Sequence, residues 1–73
     1  MTVSECRVRQ LVRVVSIDLP DPLRAAEIGV RPGALVHVTQ RSAFGGVVIA
    51  VDGGRLALDA ATAKRVVVEE AAA

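Results

Sequence analysis

Residues 28–33 read Ile28-Gly29-Val30-Arg31-Pro32-Gly33, which sets two chain-reversing devices side by side. No other stretch constrains the fold as much. Gly29 takes the left-handed conformation that closes a helix, where a β-branched residue would be strained. Val30 is then placed to fold back onto the helix as the hydrophobic partner of that cap. Pro32-Gly33 has the order a type II turn requires: Pro presets the first central φ, and Gly takes the positive φ of the second. Asp21 is placed to cap the helix N-terminus, with Pro22 at the first helical position. The pattern predicts a helix of one or two turns over 22–28, with Leu23, Ala26 and Ile28 inward. A strand follows at once.

The remaining segments read as strands. Leu11 to Ile17 mixes Val, Leu and Ile with arginines, and Leu19-Pro20-Asp21-Pro22 breaks it. Leu35 to Ser42 alternates, with Val36 and Val38 on one face and His37, Thr39 and Arg41 on the other. Phe44-Gly45-Gly46 makes a turn. Val47 to Val51 is apolar on both faces, which predicts a central, buried strand. Asp52-Gly53-Gly54 is a hairpin signal. Arg55 to Asp59 alternates with Leu56 and Leu58 inward, Asp59 caps a single turn across Ala60 to Ala63, and Val66 to Glu69 is the last strand. Five short strands with tight turns describe a mainly β, partly open barrel, with one short α-helix after the first strand and a helical turn before the last.

Composition limits what such a barrel does. The chain has 73 residues, 52% of them apolar, with one Phe, no Trp and no Tyr. The core is therefore aliphatic and β-branched, and a domain this small buries only about 60% of its unfolded surface. Nine Lys and Arg face eight Asp and Glu, which argues against a general nucleic-acid binder. Arg7, Arg9 and Arg13 form a local basic cluster, read either as a solvated strand face or as a surface for an anionic partner. Cys6 is the only cysteine, so no internal disulfide forms, as suits a reducing compartment. The longest apolar run, Val47 to Val51, is too short to span a bilayer. Residues 1–70 read as one domain and residues 71–73 as a disordered tail. A valine-rich edge strand offers a route to self-association.

Several motifs taken together resemble a known family. They are Ile28-Gly29-Val30-Arg31-Pro32-Gly33 leading into Ala34-Leu35-Val36, then Ser42-Ala43-Phe44-Gly45, Leu56-Ala57-Leu58, and Ala63 before Val66-Val67-Val68. The layout resembles the FeoA family, small cytoplasmic proteins of bacterial ferrous-iron uptake. It is equally similar to the SH3-like C-terminal domain of DtxR-type iron- and manganese-dependent repressors. The resemblance covers residues 3–70. It implies an SH3-like barrel and a non-enzymatic cytoplasmic adaptor that binds the FeoB ferrous-iron transporter, membrane-associated only through that partner. The alternative it implies is an SH3-like regulatory module that binds a protein or peptide. Three departures stand out: Val8-Arg9 replaces a Pro-Gly that is usual in the family, Ala25 replaces a frequent Leu, and Gly46 stands where a polar residue and a Pro are common.

The chain itself holds no Walker-type nucleotide loop and no defensible nucleophile, base and orienting-acid set. His37 reads as a surface or hydrogen-bonded residue and Cys6 as a small core residue. Asp18 and Asp21 flank the helix entrance, where carboxylates suit the positive end of a helix. The repressor resemblance adds a metal reading for these two, because similar positions supply ligands there. Two carboxylates alone bind Fe2+ or Mn2+ weakly, so no tightly bound cofactor is expected. For partner contact the expected surface is the helix and its cap, Leu23, Arg24, Glu27, Val30 and Arg31, together with Phe44 and Gly45 in the Ser42 to Gly46 loop.

Overall fold

Short β-branched runs between turn residues form five antiparallel strands in the computed structural model, which describes residues 1–19 and 30–71. They are β1 (Leu11–Ile17), β2 (Leu35–Arg41), β3 (Val47–Val51), β4 (Gly54–Leu58) and β5 (Val66–Glu70). The sheet order is β4-β3-β2-β1-β5. Because β4 and β5 do not pair with each other, the barrel stays open, as the sequence predicts. The expected helix over 22–28 lies outside the described residues, as do Asp21, Leu23, Arg24, Glu27 and the Gly29 cap.

Strand alternation builds the core. Val12 and Val14 of β1, Val36 and Val38 of β2, and Val66 and Val68 of β5 turn to one side and are buried. Val47, Ile49 and Leu58 complete that face. A 3-10 turn, Val3–Glu5, packs against β5 and the helical turn Ala60–Ala63, so Val3, Cys6 and Ala63 cover one end of the core. No apolar period in the sequence marks this turn. Its signal was legible as Thr2-Val3-Ser4-Glu5, because the Glu5 carboxylate accepts from the Thr2 amide at 2.8 Å and from the Thr2 hydroxyl at 3.2 Å. No helix among the described residues is long and apolar enough to cross a membrane.

The turns form as their residues dictate. Gly33 has φ +91°, and the Ala34 amide donates to the Arg31 carbonyl at 3.0 Å, which closes the Pro32-Gly33 turn. Asp52 and Gly53 both have positive φ, 50° and 78°, the requirement of the two-residue turn that pairs Val51 with Gly54. The Asp59 carboxylate accepts from the Thr62 amide at 2.8 Å and starts the helical turn.

Four sequence expectations need correction. The central strand is β2, whereas β3 lies one place from the edge, and its outward Val48 and Ala50 are only half-buried. Arg41 does not share a face with His37. A register shift between Val38 and Gln40 sets Arg41 opposite the buried Val47, on the core side. Val30 is 3% exposed and belongs to the core, so its side chain offers a partner no surface. Ala71 is not loose: its amide donates to the Leu11 carbonyl at 3.2 Å, while residues 72–73 lie outside the described residues.

Candidate functional site

The loop from Ser42 to Gly46 concentrates the features of a contact site. Ser42 ties it shut. Its amide donates to the Gly46 carbonyl (2.9 Å), its carbonyl accepts from the Gly45 amide (3.2 Å), and its Oγ accepts from the Gly46 amide (3.0 Å). Gly45 has φ +88° and packs so closely that a Cβ there would meet the Ala60 Cβ at 3.1 Å. A Cβ at Gly46 would meet the Ser42 Oγ at 3.1 Å and the Leu58 carbonyl at 3.2 Å. A tight, tethered loop therefore holds Phe44 at its tip, and the residue is 93% exposed. Beside the loop lies a mostly apolar depression of about 270 Å³, lined by Gln40, Ser42, Val48, Ala57 and Leu58 among others.

Such an arrangement suits binding. The lone aromatic of the chain is left in water on a loop that has little freedom to lose on association. Of the other expected contact residues, Arg31 is exposed but sits in the Pro32-Gly33 turn, which hydrogen-bonds to β1 through Gly33 and Val14 at 2.7 Å. Leu23, Arg24 and Glu27 lie outside the described residues.

The metal expectation finds little to build on. Asp18 is exposed, its amide donates to the Arg65 carbonyl at 2.8 Å, and its own carbonyl accepts from the Arg65 guanidinium at 3.4 Å. A guanidinium so close opposes a second cation. Asp21 lies outside the described residues. His37 is exposed on the outer face of the sheet, opposite Leu11 and Ala50. Cys6 is buried; its thiol donates to the Thr2 carbonyl at 3.6 Å, and loss of solvent pushes its pKa up. Among the described residues no three His, Cys, Asp or Glu side chains converge as a metal site.

Comparison with known proteins follows the same line. The model of the FeoA domain matches residues 1–70. The crystal structure of an iron uptake regulatory protein (FeoA) is 30% identical over 97% of this chain and 96% of that one, with a TM-score of 0.84. FeoA of Stenotrophomonas maltophilia, a procaryotic SH3 domain protein crystallised with zinc, is 30% identical over 94% of this chain and 89% of its own, with a TM-score of 0.77. A manganese-dependent transcriptional repressor shares the fold, at 24% identity and a TM-score of 0.81, over 99% of this chain and 41% of the repressor. The chain likewise spans only 45% of iron(II) transport protein A from Clostridium thermocellum, at 19% identity and a TM-score of 0.84. No curated protein matches the sequence.

Proposed function

Since this chain belongs to the FeoA family, we propose that it is a non-enzymatic cytoplasmic adaptor of ferrous-iron transport that binds the cytoplasmic region of a FeoB-like transporter. The Phe44 loop is its contact surface. The observation that carries this reading is Phe44 itself, 93% exposed on a loop that three hydrogen bonds to Ser42 hold in one shape. A preformed loop binds with little ordering cost, and an aromatic tip supplies apolar area in a small contact. The adjoining depression, with Val48, Ala57 and Leu58, gives a partner side chain a place beside it. Association with the membrane is through the transporter alone.

The test is a calorimetric titration of the chain against the cytoplasmic region of the ferrous-iron transporter from the same organism, with and without guanine nucleotide. Saturable binding that Phe44→Ala weakens at least tenfold supports the proposal. Wild-type binding that survives Phe44→Ala moves the surface elsewhere, and absence of binding removes the adaptor reading. The shared fold of the repressor favours one second reading, a regulatory module for a separately encoded protein partner. Capture of a DNA-binding protein in place of the transporter would select it.

A further inference from the structure

Arg9 has φ +74°, a conformation that costs an L-residue free energy and costs glycine nothing. Among the described residues the only other non-glycine with positive φ is Asp52, at 50°. Asp tolerates that region because its short side chain bonds locally. Arginine has no such excuse. The backbone is held in place regardless: the Arg9 amide donates to the Val38 carbonyl at 2.7 Å, and the Gln10 amide donates to the Arg7 carbonyl at 3.1 Å. The Arg9 side chain is exposed, and no carboxylate among the described residues pairs with it. A long cation kept at a position suited to glycine points to a use for the cation.

Two more arginines reach this turn, one by sequence and one through the fold. Arg7 is exposed, two residues before Arg9. The register shift in β2 turns Arg41 to the core side, where its guanidinium donates to the Cys6 carbonyl, one peptide unit before Arg7. Neither has a carboxylate partner among the described residues. Nearby acids are engaged. Glu5 is bonded to Thr2, and Glu70, which shares a shallow depression with Arg7, accepts from the Gln10 side chain at 3.3 Å. The sequence cluster of Arg7, Arg9 and Arg13 is thus redrawn. Arg13 faces Glu69 at 3.8 Å on the sheet, and Arg41 takes its place.

The geometry points to Arg7, Arg9 and Arg41 as a clamp for an acidic polypeptide segment. Guanidinium forks match carboxylates in pairs, and eight of the nine cationic side chains of this protein are Arg, Lys64 being the exception. Three cations fall short of the cluster of about four to eight that holds a segment to an anionic bilayer. A net charge of +1 is equally poor for nucleic acid. Val8, 47% exposed between the two arginines, adds apolar contact. This surface stands whether or not the transporter is the partner.

Its test is a titration of a synthetic Glu- and Asp-rich dodecapeptide into the chain at low salt, followed by amide chemical shifts. Vesicles with and without phosphatidylserine form the second arm. Wild type should show shifts confined to residues 6–10 and 38–42 that fade as salt rises. Arg9→Gly should raise the melting temperature and weaken peptide binding at least fivefold, and Arg7→Gln should weaken it without raising the melting temperature. Opposite signs on stability and binding separate a functional arginine from a structural one. The inference is overturned if Arg9→Gly binds as wild type does, if the peptide produces no shifts, or if phosphatidylserine vesicles bind and the peptide fails to displace them.

Discussion

Arg41 reaches from the end of β2 to the backbone carbonyl of Cys6, 35 residues earlier in the chain. The contact ties the N-terminal turn, which covers one end of the core, to the middle strand of the sheet. A charged donor on a carbonyl is worth about 1.5–3 kcal/mol, and partial exposure reduces that to about 1 kcal/mol here. Arg41→Ala should therefore lower the melting temperature by about 4–8 °C in a domain of this size. Arg55→Ala, an exposed arginine of β4, should leave it nearly unchanged. Scanning calorimetry of both variants checks the difference.

Ile49 is fully buried and, among the described residues, the largest of the fully buried side chains. Ile49→Ala leaves a cavity and costs about 2–5 kcal/mol, whereas Ile49→Val costs about 0.5–1.5 kcal/mol. Native domains hold only about 5–15 kcal/mol in total, with small ones at the low end. The alanine variant should therefore show a clearly populated unfolded fraction at 37 °C by circular dichroism, and the valine variant should remain folded.

Gly45 and Gly53 separate two costs of adding a methyl group. Both have positive φ, but nothing lies within 4 Å of a Cβ at Gly53, while one at Gly45 meets the Ala60 Cβ at 3.1 Å. Gly53→Ala should cost the backbone strain alone, about 1–2 kcal/mol. Gly45→Ala should cost more, and adding Ala60→Gly should recover part of the difference. Urea denaturation of the three variants measures each step. If Gly45→Ala costs no more than Gly53→Ala, the loop yields where the packing says it is held.

Glu5 carries a pH dependence. The Thr2 amide, then the Thr2 hydroxyl, hold its carboxyl below the usual glutamate range. A carboxyl lowered on folding contributes stability above its unfolded pKa and loses it as pH falls through the lower, folded value. The Thr2 amide resonance should accordingly shift in acid with a midpoint below that of a free glutamate. In Glu5→Gln that inflection should vanish. A Thr2 midpoint at the ordinary glutamate value would contradict the contact.

Much of this fold is legible residue by residue. The strand bounds of β1 and β3, the Asp59 cap, the Pro32-Gly33 turn and the Asp52-Gly53 hairpin are local decisions, made by side-chain period, φ preference and capping groups within a few residues. The turn at Phe44-Gly45-Gly46 was legible for the same reason, while the exposure of the ring is a finding of the structure. The Thr2-to-Glu5 spacing carried its own signal as well, though it precedes no long apolar run that would mark it as a helix start.

What the sequence determined alone is the strands and the turns between them, because each depends on the chemistry of near neighbours. Tertiary structure decided where three groups of residues went. The register shift between Val38 and Gln40 moved Arg41 across the sheet, since one extra residue inverts the facing of all that follow it. Closure of the N-terminal turn over Val3 and Cys6 brought the Cys6 carbonyl, next to Arg7 in the chain, to that same arginine. Burial of Val30 removed it from the partner surface expected of the helix cap. Each outcome rests on contacts between residues far apart in the chain, and no local period or propensity encodes them.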